Sequence, residues 1–232
     1  MPRETRDLNA TGIVLAAGRG VRMGGADPKQ FRAVNGKEMF RHSVECLLRH
    51  PRIRDVILVV PAEWLPRALA MMNGSDSARI RMVAGKETRQ GSSQAGVAAV
   101  ATGTTHVLIH DAARPRINIP LLDRILDALS RNDAVVPAIA VTDTLVRMEQ
   151  KGNVASFPDR SMFRRIQTPQ GFRLEIIREA HERAMRDPTV MATDDAGLVH
   201  HFHLARVFLV NGDIHNVKIT NAEDLEVYGK SR

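Results

Sequence analysis

Aromatic side chains are scarce. They make up 4% of the 232 residues, with a single Trp and a single Tyr, too few for the stacked platforms that hold single-stranded nucleic acid. Cysteine is nearly absent: Cys46 stands alone, which excludes an internal disulfide framework and suits a reducing compartment. No stretch approaches the roughly 20 apolar residues that span a bilayer. The first apolar run, Gly12 to Ala17, is too short for a secretory signal core and lacks its flanks. These absences predict a cytoplasmic protein with no membrane partner. Acidic residues are outnumbered as well, 26 Asp and Glu against 33 Lys and Arg, for a net charge of +7. That excess favours an anionic partner. The basic residues are dispersed with no long run, so no nucleic-acid arm is expected and phosphorylated small molecules are the favoured ligands.

What is present is a chain with 44% hydrophobic residues, enough for a sizeable core in one α/β domain. Short apolar runs alternate with helical patterns. Gly12–Ala16, Asp55–Val60, Ile80–Val83, His106–His110, Ala134–Pro137 and Arg206–Val210 read as strands. Helical spacing predicts helices over Glu38–Arg49, Glu63–Met72, Ser92–Ala101, Ile119–Ser130, Leu174–Met185 and Asp194–His201. Continuous apolar strands separated by helices predict a mainly parallel sheet covered on both faces. The rhythm breaks between Ile139 and Arg165. Thr142–Met148 alternates like an exposed strand, Gly152 marks a turn, and Val154–Phe157 is placed to pair back, which predicts a protruding β-arm at about 139–165. Thr220 and Glu223 have the spacing of a capping box for a last helix.

The loop from Ala16 to Gln30 follows the first strand, at the sheet edge where open α/β folds bind ligands. Gly18 and Gly20 permit close backbone approach, so successive N–H groups can meet phosphate oxygens. Arg22 adds a fork of donors and Lys29 a compact charge. Together they suit a triphosphate. A dinucleotide fingerprint fails because Met23 stands where its third glycine belongs, and Gly24-Gly25-Ala26 is not the end of a P-loop. Asp111 sits just after the strand His106–His110 at the same edge, where a carboxylate can meet a ribose hydroxyl or help hold Mg²⁺. It also suits a plain helix cap.

The string Ala16-Ala17-Gly18-x-Gly20-x-Arg22-Met23, followed by Pro28-Lys29-Gln30, resembles the signature of the sugar-phosphate nucleotidyltransferases. Within these it is most similar to the 2-C-methyl-D-erythritol 4-phosphate cytidylyltransferase family of the non-mevalonate isoprenoid pathway. Four later motifs match in order: Gly85 through Arg89 and Ser92 to Gly96; His110 to Pro115; Asp143-Thr144 with Asp159-Arg160 and Thr168-Pro169-Gln170; and Thr193-Asp194-Asp195 with Asn216 to Thr220. The resemblance implies a three-layer, Rossmann-like nucleotidyltransferase fold, a single cytidylyltransferase domain over 1–232, and a homodimer joined through the arm at about 139–165. It implies CTP and methylerythritol phosphate as substrates and Mg²⁺ as cofactor. By the same resemblance, Ala16, Ala17, Gly18, Gly20, Gly85, Ser92, Asp111 and Ala112 bind CTP, with Asp111 also toward the metal. Arg22, Lys29, Lys218 and Arg160 carry the transfer, Arg160 reaching the partner subunit's site. Arg114, Thr144, Thr168 and Thr193 hold the acceptor.

Two departures stand out. One residue is inserted between Gly85 and Arg89, so the base contact falls to Lys86 or Glu87 without a choice between them. Asp195 replaces the more common Glu. A ribitol-5-phosphate cytidylyltransferase is the nearest rival, since it shares the loop, although Ala112-Ala113 favours the methylerythritol enzymes. Thr193 also suits a helix cap. His200, His201 and His203 are not expected to bind metal, because adjacent residues on a helix point apart.

Overall fold

The apolar runs fold as the centre of a sheet. The computed structural model describes residues 8–18, 28–72, 74, 76–187, 189–190, 192–221 and 223–225. Gly20 and Arg22 lie outside the described residues. In chain order the elements are β1 (Ala10–Leu15), β2 (Ala33–Val34), β3 (Lys37–Glu38), α1 (Met39–Arg49), β4 (Ile53–Val60), α2 (Leu65–Met71), β5 (Ile80–Ala84), α3 (Arg89–Ala98) and β6 (His106–Asp111). They continue with α4 (Ile119–Leu129), β7 (Ala134–Ala140), β8 (Arg147–Met148), β9 (Val154–Ser156), β10 (Arg164–Ile166), β11 (Gln170–Arg173), α5 (Leu174–Arg186), α6 (Asp195–His201) and β12 (Val207–Asn211).

The main sheet runs β7-β11-β6-β1-β4-β5, with β10 following β11 along the same edge of β7 and β12 paired along the opposite edge. β1 pairs parallel with both β4 and β6, aligning Ile13 with Ile57 and Ile109. Alternate residues of β4 enter opposite cores, as the two-residue period of a strand requires. Val56, Leu58 and Val60 join Phe40 and Leu47 of α1 and Leu121 and Ile125 of α4. Ile57 and Val59 join Val97 of α3, Ile177 of α5 and Val199 of α6. A sheet buried on both faces between helix layers is the three-layer α/β fold, and its centre is parallel as expected. Among the described residues, no helix is long and apolar enough to cross a membrane.

The sheet is nonetheless mixed. β11 inserts antiparallel between β6 and β7, and β10 pairs antiparallel with β7. Gln170-Gly171-Phe172-Arg173 has one large apolar residue, so its pattern announces no strand. Gly171 is there for space: a Cβ would sit 2.5 Å from Leu129 Cδ1. The helical pattern over Ser92–Ala101 starts earlier, at Arg89, because Thr88 Oγ1 accepts the Gly91 N–H at 2.9 Å and caps α3. The Thr220–Glu223 box does not form. Asn221 Oδ1 accepts the Asp224 N–H at 2.7 Å, and Asp224 Oδ2 accepts the Thr220 and Asn221 N–H groups at 2.6 and 3.1 Å. Asn is the stronger cap, so the box moves one residue on.

Thr142–Met148 is mostly irregular. Arg147 and Met148 alone pair, antiparallel with Ser156 and Val154, and an extended run without a ladder partner leaves its backbone to water. The hairpin-like arm itself is present, and it exposes Met148 (58%), Phe157 (71%) and Met162 (80%).

Candidate active site

The carboxyl ends of β1, β4, β5 and β6 are laced together by backbone hydrogen bonds. The Ala16 N–H donates to Val59 O at 2.7 Å, Gly85 N–H to Val60 O at 2.7 Å, and Ala112 N–H to Leu15 O at 3.0 Å. Gln30, 3% exposed, secures the loop after β1 by donating from Nε2 to Gly18 O at 2.7 Å and to Ala16 O. Above these ends lies a cleft of about 410 Å³ whose wall includes Ala17, Gly18, Lys29, Ser92, Asp111 and Lys218. Ala16, Gly85 and Ala112 do not line it and take part through the backbone bonds that join the strand ends.

Gly85 allows two of these segments to touch. A Cβ at that position would stand 2.2 Å from the Ala17 Cβ and 3.0 Å from Ser92 Oγ. Gly85→Ala is therefore expected to destabilise the fold by about 1–3 kcal/mol, the usual cost of forcing an extra carbon into a packed site. Urea unfolding of the purified variant measures it, and an unchanged midpoint contradicts the close approach.

The floor of the cleft is an ion cluster. Asp111 Oδ2 accepts from Lys218 Nζ at 2.7 Å and Oδ1 from Arg89 Nε at 3.1 Å. Burial alone would raise the Asp111 carboxyl, but Arg89 and Lys218 hold it well below the usual carboxylate range. Arg89 Nη1 also donates to Asp195 Oδ2 at 2.8 Å. Burial would lower the Arg89 guanidinium, yet the two carboxylates keep it raised. Lys29 Nζ reaches the same end of the molecule, donating to Ile219 O at 2.8 Å. A carboxylate held charged by two cations, with Lys29 on the same cleft, suits a polyanionic ligand that also carries hydroxyls.

The remaining expected residues fall into three places. Ser92 lines the cleft but spends its hydroxyl on the turn beside it, donating to Lys86 O and accepting from Lys86 N–H, both at 3.0 Å. Thr168, 4% exposed, stands behind Asp111: its hydroxyl accepts the Asp111 N–H at 3.1 Å and lies 3.0 Å from His110 Nδ1. Arg114 is directed to main-chain oxygens, Asn216 O at 2.8 Å and Ile166 O at 3.4 Å. Burial lowers its guanidinium. Thr144 and Arg160 lie out on the arm, where Arg160 Nη1 donates to Thr142 O at 2.6 Å. Thr193 is exposed and precedes the true cap of α6, Asp194, whose Oδ1 accepts the Gly197 N–H at 2.8 Å.

Residues beyond the expected set complete the frame. Arg89 and Asp195 appear in the motifs but with no assigned contact, because no spacing links positions 89, 111 and 195. Gln170 explains the Thr-Pro-Gln motif structurally. Its Nε2 donates to Asp194 Oδ2 at 2.8 Å and its Oε1 accepts the Ala196 N–H at 3.0 Å, tying the start of α6 to the sheet.

Gly18, Lys29 and Lys218 meet the Asp111 carboxylate at the carboxyl ends of a mostly parallel sheet, the place and charge of an α/β site for a phosphorylated ligand. The 2-C-methyl-D-erythritol 4-phosphate cytidylyltransferase family model matches residues 10–228, and the chain belongs to that family. A 2-C-methyl-D-erythritol 4-phosphate cytidylyltransferase of Nocardia farcinica is 40% identical over 222 residues, covering 95% of this chain and 93% of that one. A bifunctional enzyme IspD/IspF of Nitrobacter winogradskyi is 42% identical over 215 residues, covering 91% of this chain and 53% of that protein. The chain thus spans about half the length of this bifunctional relative. In fold it is similar to the 4-diphosphocytidyl-2C-methyl-D-erythritol synthase of Anaerococcus prevotii, with a TM-score of 0.85 and 29% identity over 96% of this chain and 95% of that one. The cytidylyltransferase of Thermus thermophilus gives a TM-score of 0.75 and 30% identity over 94% of this chain and 96% of that one.

Proposed function

We propose that the protein transfers CMP from CTP to 2-C-methyl-D-erythritol 4-phosphate, giving 4-diphosphocytidyl-2-C-methyl-D-erythritol and pyrophosphate in isoprenoid biosynthesis. The observation that carries this reading is Lys29, Lys218 and Asp111 around one cleft, in a chain matched by the cytidylyltransferase family. The acceptor's phosphate oxygen attacks the α-phosphorus of CTP, the new P–O bond forms, and the bond to the β-phosphate oxygen breaks. Because the nucleophile is already an anion, the step needs positioning and charge stabilisation rather than a strong base.

In this reading the backbone of Ala16 to Gly18, with Gly20 and Arg22 from the loop outside the described residues, cradles the triphosphate. Arg22, Lys29 and Lys218 stabilise charge at phosphorus. Gly85, Ser92 and Ala112 shape the nucleoside wall, and Asp111 meets the ribose. Arg114 and Thr193 lie on the acceptor side, and Thr168 acts by holding Asp111 rather than by touching substrate. Thr144 and Arg160 serve the neighbouring site in a homodimer. The exposed apolar side chains of the arm, Met148, Phe157 and Met162, support that assembly, since a second copy would cover them.

Asp111 is the carboxylate that would help hold a Mg²⁺ ion arriving with the triphosphate, although among the described residues no cluster of three metal-binding side chains stands there. Each of its oxygens accepts one cationic donor and keeps a lone pair, and Mg²⁺ commonly takes one carboxylate plus phosphates. When bound, the ion neutralises triphosphate charge. The protein is proposed to act in the cytoplasm.

The test is pyrophosphate release from CTP with methylerythritol phosphate against ribitol 5-phosphate, with ATP, GTP and UTP as controls. Release with CTP and methylerythritol phosphate is expected. Release with ribitol phosphate alone reassigns the acceptor, and no release with either removes the transferase reading.

A further inference from the structure

Arg89 has no role in the mechanism above, yet its side chain borders the cleft. It opens α3 directly after the Thr88 cap, so its stem starts at the carboxyl ends of the strands. The guanidinium bridges carboxylates from two other elements, Asp111 at the end of β6 at 3.1 Å and Asp195 in the first turn of α6 at 2.8 Å. Asp195 is 1% exposed. Its other oxygen accepts the Ser93 hydroxyl at 2.5 Å and lies 3.2 Å from His181 Nε2. Ser93 is one turn along α3 from Arg89, so the helix that carries the guanidinium also grips its counter-charge. The bridge is pinned from behind.

Lys218 holds Asp111 from the front and is free to move by comparison, with 41% of its side chain exposed on a flexible stem. A triphosphate competes with Asp111 for that ammonium. When Lys218 turns to the phosphates, Asp111 loses one of its two cations, and a buried carboxylate with no cation would swing or neutralise. Resting on the nucleotidyl-transfer reading, we propose that Arg89 is a positioning residue that holds the Asp111 carboxylate in place for the nucleotide while Lys218 serves the phosphates. Asp195 is the buried anchor that keeps Arg89 from following Lys218.

The role separates binding from turnover. Arg89→Lys keeps a charge but cannot bridge both carboxylates, and Asp195→Asn keeps the shape but frees Arg89 to swing. Each is expected to raise the KM for CTP about tenfold or more, as losing the outer partner of a ligating group commonly does. The turnover number and the KM for the acceptor should stay within about threefold, and Asp195→Glu should recover most of the CTP affinity. Thermal unfolding reports the folded fraction, and calorimetric titration with CTP gives affinity independently of turnover. An unchanged CTP affinity in Arg89→Lys, with an active wild type, overturns the inference alone. So does a loss confined to turnover, or a drop in active fraction at constant KM, which marks a merely structural bridge. A wild type that neither binds CTP nor releases pyrophosphate overturns the transferase reading and this inference with it.

Discussion

Replacing Lys29 by Ala is expected to lower turnover about 10²–10³-fold, the scale on which a single preorganised charge donor acts, while leaving the fold intact. Lys29 opens the short turn Lys29–Phe31, whose position does not depend on its ammonium. Gln30 is bonded to Ala16 O and Gly18 O, and the buried Phe31 ring packs 5.1 Å from Phe40 and 4.4 Å from Trp64. The substitution thus removes a cation from a fixed backbone. Its bond to Ile219 O is partly exposed, so its loss costs stability only about 1 kcal/mol. If Lys29 acts on charge that develops during transfer, the turnover number falls while the KM for CTP moves little. Steady-state pyrophosphate release, read beside thermal unfolding of the same preparations, distinguishes the outcomes. A folded Lys29→Ala protein with near-full turnover removes Lys29 from the machinery, and a rise in KM alone makes it a ground-state binding group.

Residues of the cleft that lie close to one another in sequence are legible before any fold is known. Apolar runs ending in Ala16 and in Asp111 mark two strands whose carboxyl ends lie side by side, and the glycines and cations next to them announce the chemistry. Contacts between distant segments are not legible in this way. Arg89 meets Asp111 and Asp195 only because α3, β6 and α6 open at the same sheet edge, a consequence of strand order rather than of spacing. The antiparallel β11 escapes for a related reason: Gly171 is chosen by the Leu129 side chain above it, and a missing side chain leaves no periodicity. Caps shift by a residue because neighbouring polar groups compete to open the helix: Asn221 Oδ1 takes the Asp224 N–H, while the Thr220 hydroxyl is spent donating to the Asp224 carboxylate. Thr168 shows that a motif residue can act at one remove, since its hydroxyl is occupied by the backbone of Asp111 and the ring of His110.

That ring carries the second large expectation, a loss of stability between about pH 6.5 and pH 4. His110 is 0% exposed, and burial pushes its imidazole from 6.5 down to about 4, against the opposing pull of Asp111. Its hydrogen bonds fix the neutral form. Arg114 O, 3.1 Å from Nε2, can only accept, so Nε2 carries the proton, and Nδ1 is left to accept from the Thr168 hydroxyl. A histidine whose folded pKa lies below its unfolded one binds its proton more readily when unfolded. Stability is therefore complete above about pH 6.5 and falls with pH until about 4. The lost stability is about 2 kcal/mol at pH 5 and about 3 kcal/mol at pH 4, by linkage from the two pKa values. The carboxylates of Asp111 and Asp195, both held below the usual carboxylate range by their cationic and hydrogen-bond partners, begin to lose their contributions only below about pH 5, so the upper part of the window belongs to the histidine. Urea unfolding at several pH values should show the slope in the wild type and a flatter one in His110→Gln, which keeps a donor toward Arg114 O but cannot titrate. Equal slopes in the two proteins would sink the assignment. Protonation would give Nδ1 a hydrogen facing Thr168, so that the buried hydroxyl must accept from both Nδ1 and the Asp111 N–H and turn its own hydrogen away from the partner it now has. The first structure to loosen on acidification is then the mount of Asp111 itself, and CTP affinity should fall ahead of global unfolding.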